Sequence, residues 1–341
     1  MTNGGVVLRP AVPPPVRIRQ NINNLPTNDP IVVFYGRAIE AMKAKPISDP
    51  LSWRYQAAIH DYPFPDGTLQ QRQIIPGSQN RDPFASNSDS LPADRGTFWR
   101  QCQHGTWFFL PWHRIYLHHF EKIVMDQVAL LGGPKNWALP YWDWKGPEGV
   151  GRLPTALRDP KRGGLASLFV KERDDDANNG NVFADPDVEV DINFNCLKPS
   201  TFMGNGQFGG PAVRRHGGLG PPEPPIPPAL NGAGVLEGTP HGAMHVAVGR
   251  PPVGWMRSFV KAPLDPIFWL HHCNIDRLWE VWIQRKGTNQ NPDDKAWLDA
   301  SFPFHDRTRG NGDMTPRQVL NTRKAPLSYE YDEATDPLGG A

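Results

Sequence analysis

Apolar residues along the chain gather into a few helix-like runs separated by long polar or proline-rich stretches. Residues 29–60 predict two helices, one through VVFYGRAIEAMKAK and one through DPLSWRYQAAIH. In the second, Asp49 is placed to cap, Pro50 suits the first turn, and His60 closes the helix. The clearest periodicity lies in TWFFLPWHRIYLHHFEKIVMDQVAL at 106–130, where a helix after Pro111 turns Trp112, Ile115, Tyr116, Phe120 and Val124 inward. GTPHGAMH at 238–245 starts another helix, and DPIFWLHHCNIDRLWEVWIQRK at 265–286 reads as a strongly amphipathic one with a basic end.

Between these runs the chain is irregular. Asp61 to about Arg95 is rich in Pro, Asp, Asn, Ser and Gly and predicts a long surface excursion with no internal repeat, of the kind that borders a site entrance. PYWDW at 140–144 is an aromatic cluster expected in the core. The region 145–235 is loop-rich and closes on PPEPPIPPALNGAG, which is read as a loop, not an interdomain linker, because histidines on both sides of it cooperate. The last segment, from AWLDASFPFHD to APLSYEYD, alternates enough to predict short strands or extended pieces.

Composition narrows the class. A chain of 341 residues with 38% hydrophobic content suffices for one large domain or two ordinary ones. The 36 basic and 35 acidic side chains nearly cancel without a long single-sign run, which argues against a nucleic-acid surface or a polybasic membrane patch. The first twenty residues lack the apolar stretch of a secretory signal, and no run approaches the ~20 residues of a membrane span. A soluble protein, cytosolic or already processed, is expected; its oligomeric state is not encoded legibly. Cys102, Cys196 and Cys273 are too few for a disulfide framework. The 38 prolines and 33 glycines fit long irregular connections, and 12 tryptophans imply a substantial aromatic core.

The candidate chemistry lies in the 11 histidines. His241 and His245 are four apart, so on a helix both rings leave one face, as two ligands of one metal must. His271 and His272 follow on the next helix, and one of them completes a set of three, with Asp276 available to steady the ring from behind. His104 and His113 flank the TWFFLPW turn, with His60 upstream at a helix end: a second triad. His118 and His119 share a helix with His113 but at offsets that point them elsewhere, and His216 and His305 fall in loops. Two sets of neutral imidazoles without carboxylate or thiolate disfavour structural zinc, magnesium and calcium, and favour copper, whose two oxidation states imidazole supports.

HGTWFFLPWHRIYLHHFE resembles the CuA signature of tyrosinases, and DPIFWLHHCNIDRLW resembles their CuB signature. The resemblance to the type-3 dicopper family of tyrosinases and catechol oxidases runs from VRIRQ at 16–20 to SYEYD at 328–332. It implies a single catalytic domain over 1–341 with its core at about 16–332. The implied fold is mainly α, a four-helix bundle around a dicopper centre with long irregular loops and a few short strands. It further implies two copper ions, with His60, His104 and His113 binding CuA and His241, His245 and His272 binding CuB, the second histidine of the pair being the one the family uses.

Other positions follow from the same resemblance. Cys102, two before His104, stands where fungal tyrosinases and molluscan haemocyanins carry a Cys–His thioether. Glu237 matches the acidic residue that holds a water near the coppers in plant polyphenol oxidases, which makes it a general-base candidate. Gly242 stands where many efficient tyrosinases have an Asn that orients that water, so catechol oxidation is expected over monophenol hydroxylation. Val246 is a pocket wall, and Phe259, with Val260 as rival, matches the bulky residue that shields CuA in plant enzymes. Tyr329 and Tyr331 form the family's closing Y-x-Y motif, on which Arg17 or Arg19 stacks. Only ten residues follow Tyr331, so an active form without the C-terminal plug domain is expected. The activity implied is oxidation of small phenols, chiefly o-diphenols, to o-quinones with dioxygen as co-substrate. The alternatives are a haemocyanin-like oxygen-binding protein and a tyrosinase with dominant monophenol activity.

Overall fold

A computed structural model describes residues 15–62, 84, 90–144, 151–182, 194–212, 232–249, 254–285 and 289–339. Most of the expected excursion after Asp61, most of the proline-rich stretch at 221–234, and His216 lie outside the described residues. Within them the helices are α1 Pro30–Lys43, α2 Trp53–His60, α3 Arg95–Phe98, α4 Phe109–Leu130, α5 Asp175–Asn179, α6 Ala243–Val248, α7 Pro266–Gln284 and α8 Lys295–Leu298. Strands β1 Arg17–Arg19 and β2 Tyr329–Tyr331 form one short parallel pair.

Local chemistry explains the boundaries. The Asp29 carboxylate accepts the Ile31 N–H at 2.8 Å and Pro30 takes the first position of α1, whose Val32, Tyr35, Ala38, Ile39 and Met42 then face the core. The expected cap of α2 is corrected: the hydroxyl of Ser52, not Asp49, accepts the Tyr55 N–H at 3.1 Å. The chain makes a further turn first, closed by Ser52 N–H to the Asp49 carbonyl, while the Asp49 carboxylate takes the Leu51 N–H and pairs with Arg309. In α4, Pro111 sits within the first turn, where no intrahelical donor is lost. Trp112, Ile115, Tyr116, Phe120 and Val124 are all buried, as expected.

Helix α7 departs from the amphipathic expectation. Asp265 caps it through the Ile267 N–H, and 16 of its 19 residues are buried, so its polar side chains face other protein groups, not solvent. It packs on α4, and α1 covers α4 from outside. Aromatic side chains fill the spaces between: Trp142 and Trp144 of the PYWDW cluster are fully buried, and Phe120 stacks on Trp269 at 3.5 Å. The fold is mainly helical, with α2, α4, α6 and α7 gathered around the histidines and, among the described residues, only short strands elsewhere. The tail carries one of the expected short strands, β2, but is otherwise less extended than expected, because Trp297 lies in α8 and its other pairings are isolated bridges such as Phe302 with Met314.

The strand pair joins the two ends of the described chain. Arg17 is paired with Tyr329 and Arg19 with Tyr331. Arg19, not Arg17, makes the stack, with its guanidinium 3.6 Å from the Tyr329 ring centre, while Arg17 donates to the Leu327 carbonyl. Arg19 also pairs with Glu121 at 3.0 Å, and the hydroxyls of Tyr329 and Tyr331 each donate to Asp276 Oδ2 at 2.5 Å. Asp276 therefore does not support His272; its carboxylate is held by Arg114, Arg19 and both tyrosines. Four residues along α7 place it on the same side as His272, but buried cations from α4 and β1 satisfy it first.

Candidate metal centre

Two groups of imidazoles meet in the middle of the bundle. His60 ends α2, His113 lies in the first turns of α4, and His104 precedes α4 on an irregular segment. With Cys102 they bring four potential ligand atoms within 4.8 Å of one another. Across from them, His241 from the turn Glu237–Gly242, His245 from α6, and His271 and His272 from α7 form a second group on the same criterion. The groups abut, since the His113 and His272 rings stack at 4.4 Å between centroids.

Hydrogen bonds fix which nitrogen four of the rings present. Backbone carbonyls only accept, so the Nδ1 atoms beside them carry the proton. His60 donates to Phe259 O at 2.8 Å, His113 to Phe109 O at 2.7 Å, His241 to Glu237 O at 2.8 Å and His245 to Met256 O at 2.8 Å. In each ring Nε2 is left as a lone pair, the arrangement by which an outer partner orients a metal-binding imidazole. Nε2 of His60 and of His241 is buried with no hydrogen-bond partner among the described residues. His245 Nε2 and His272 Nε2 face each other at 3.5 Å. Two imidazoles bound to one tetrahedral metal at ~2.0 Å bring their nitrogens to about 3.3 Å, so this spacing suits a shared cation.

Burial also keeps these rings uncharged. It pushes His60 down to about 3 and His245 down to about 4, and it holds His113, His241, His271 and His272 well below the ordinary imidazole range, with neighbouring imidazoles adding to the effect. Neutral donors are what a copper ion requires.

The surrounding residues are placed as follows. Cys102 Sγ lies 3.2 Å from His104 Nδ1 and 3.9 Å from its Nε2, against the ring edge that holds Cε1. Glu237 is buried, and its Oε1 accepts the Gly105 N–H at 2.7 Å, tying the turn that bears His241 to the residue after His104. Gly242 has ordinary helical torsions, and a Cβ there would meet only Glu237 O at 3.6 Å. Val246 is half-buried on α6. Phe259 is 55% exposed and sets its ring edge-on to His104 at 4.9 Å, while Val260 packs on the core. His118 and His119 are buried away from both groups, and His305 pairs with Asp94.

Sequence reasoning placed His271 as a packing neighbour; it lies inside the second group, stacked on His241 at 5.4 Å and tilted against Trp144 at 5.1 Å. It missed the backbone carbonyls of Met256 and Phe259 altogether, since carbonyl acceptors leave no mark on residue identity.

Residues 50–216 and 225–285 match the common central domain of tyrosinase, and residues 291–338 match the polyphenol oxidase middle domain. The chain belongs to the tyrosinase and polyphenol oxidase family. A tyrosinase of Hahella sp. (strain CCB-MM4) is 34% identical over 94% of this chain and 64% of its own length. A chloroplastic polyphenol oxidase of Malus domestica is 29% identical over 89% of this chain and 46% of its own length. The structure of latent apple tyrosinase superposes with a TM-score of 0.68 at 26% identity, covering 96% of this chain and 64% of that one. The chain thus spans about half to two-thirds of the length of these relatives. Tyrosinases and polyphenol oxidases bind two copper ions, and the two histidine groups fit them. No described helix is long and apolar enough to cross a membrane.

Proposed function

We propose that this chain is a single catalytic domain that oxidises o-diphenols to o-quinones with dioxygen, using two coppers, and that it favours catechols over monophenols. The observation that carries this reading is the pair of abutting histidine groups whose buried Nε2 lone pairs converge. A small phenol suits the site, because the half-exposed ring of Phe259 offers apolar contact beside His104, and Val246, half-buried directly after His245, is read as a pocket wall.

In this reading His60, His104 and His113 hold one copper and His241, His245 and His272 the other. His272 is preferred to His271 because its Nε2 faces that of His245 while its ring stacks on His113 of the other group. His271 packs against Trp144 and supports His241 by stacking. When bound, the copper pair supplies the two-electron exchange between catechol and dioxygen. The protein's own residues bind and orient the substrate ring and move its protons. Glu237 accepts a phenol proton, through a water, from a position already fixed by the Gly105 N–H. With glycine at 242 no side-chain amide holds that water, which weakens proton removal from monophenols more than from the more acidic catechols.

Cys102 and His104 form a thioether between Sγ and Cε1. The S–H and C–H bonds are replaced by S–C, and the two hydrogens pass to dioxygen as oxidant. The bond fixes the one ring of the first group that lies on an irregular segment, not on a helix.

Oxygen uptake and quinone formation from a catechol and from its matching monophenol, measured on the copper-loaded chain, test the proposal. Faster catechol oxidation is expected. Oxygen binding without quinone formation would make the protein an oxygen carrier, and a faster monophenol reaction would reverse the preference.

A further inference from the structure

One short segment touches both histidine groups through its backbone. Between Gly254 and Leu264 the chain forms two tight turns, Trp255–Arg257 and Ala262–Leu264, before Asp265 caps α7. The Met256 carbonyl accepts from Nδ1 of His245 and the Phe259 carbonyl from Nδ1 of His60, each at 2.8 Å. His245 belongs to the second group and His60 to the first. Only two residues of chain therefore separate the acceptors that aim one ring at each metal position. The Phe259 side chain adds a contact to His104 at 4.9 Å.

The segment is internally stiff. Ser258 N–H donates to Trp255 O at 3.0 Å, Ala262 N–H to Ser258 O at 2.8 Å, and Leu264 N–H to Lys261 O at 2.9 Å. Met256 is buried and pins it to the core. Helix α6 packs on its first turn and α2 on its second, so the segment bridges the helices bearing His245 and His60.

Its distance from α6 is set by one residue. Gly249, directly after α6, approaches so closely that a Cβ there would lie 2.6 Å from Arg257 N and 2.4 Å from Arg257 Cγ. A side chain at 249 must displace the Arg257 backbone, next to the carbonyl that holds His245.

We propose that Gly254–Leu264 is a shared strap that positions His245 and His60 together, with Gly249 as the positioning residue that seats it, so that copper affinity at the two sites is coupled. The proposal rests on the two-copper reading above. It implies that displacing the strap weakens both sites at once, although the displaced residue touches neither metal. It also implies that metal binding at either site tightens the strap.

Copper binding to Gly249→Ala and Phe259→Ala is compared with wild type by equilibrium dialysis, with electron paramagnetic resonance reporting isolated Cu(II). Gly249→Ala is expected to lose affinity by about tenfold or more at both sites, the range of outer-partner losses. Phe259→Ala keeps the carbonyl and is expected to stay within about threefold of wild type, against the roughly tenfold lower end for a lost outer partner. Loss confined to one site in Gly249→Ala, with one copper retained per chain, would overturn the strap while leaving the two-copper reading intact. Wild type that never retains two coppers would overturn both.

If Gly249→Ala does not fold, hydrogen exchange on wild type decides. Amides of Ser258, Ala262 and Leu264 are expected to become more protected on copper loading. Unchanged protection there, with increased protection in α4 and α7, would overturn the strap.

Discussion

His245 and His272 point Nε2 at Nε2 across 3.5 Å, and the other nitrogen of His245 is already committed to the Met256 carbonyl. With the proton on Nδ1, His245 Nε2 is a lone pair aimed at His272 Nε2, and burial keeps both rings uncharged. Neutral nitrogens at this spacing suit a shared metal, and copper should stabilise the fold by an amount that grows with the logarithm of its affinity.

The choice between the two adjacent histidines of α7 is open to direct test. His272→Ala should lower copper from two to one per chain and reduce catechol oxidation by more than ~100-fold, beyond the roughly 10–100-fold typical of an outer partner. His271→Ala should retain two coppers and lose stability instead, because it removes a fully buried ring packed on Trp144. Copper analysis of both variants separates the roles; retention of two coppers by His272→Ala would assign the ligand to His271.

Gly242→Asn should fold normally, since the backbone at 242 is ordinary helix and the new Cβ meets a single atom at 3.6 Å. Its amide would lie near Glu237 and hold the water there. The monophenol-to-catechol rate ratio should rise by up to about tenfold, less than the ~10²-fold of a directly placed proton acceptor. An unchanged ratio would remove Gly242 from the account of substrate preference.

Glu121 connects stability to pH. Despite full burial, Arg19 and Arg17 hold its carboxyl down to about 2 from the ordinary 4.5. A depressed carboxylate stabilises the fold fully above its unfolded value, and that contribution is lost as pH falls through the folded value. At ~1.4 kcal/mol per pH unit this amounts to about 3 kcal/mol, disappearing between roughly pH 5 and 2. Denaturant titrations should show Glu121→Gln about 3–5 kcal/mol less stable at pH 7, because two buried guanidiniums lose their partner, with a smaller gap at pH 2. Parallel curves across that range would contradict the assignment.

Intact mass spectrometry checks the thioether. The copper-loaded, oxygen-exposed chain should be two hydrogen atoms lighter than its sequence, and Cys102→Ser should show no such loss. A full-mass wild-type chain would leave Cys102 as a thiol.

The helices of the metal centre were legible because their causes are local. Pro30 and Pro266 follow capping aspartates, and the apolar spacing of Trp112, Ile115 and Tyr116 encodes one buried face of α4. The histidines were legible because their spacing repeats the helical period and their motifs are specific. Less visible was anything decided by competition between distant groups. Asp276 lies in register with His272, but Arg114, Arg19 and two tyrosines claim it, and three of those four come from the chain's ends. Polar residues made α7 read as half-exposed for the same reason: their partners are remote in sequence. Ser52 displaced Asp49 as a cap through one extra turn, a shift that side-chain propensity does not resolve.

The most direct test of the central claim is oxygen consumption during catechol oxidation by the apo chain and by the same chain loaded with two coppers. The loaded protein should consume one dioxygen for every two catechols converted to o-quinone, with no activity in the apo form or after chelation. Two bound coppers without catechol turnover, or turnover that survives copper removal, would contradict it.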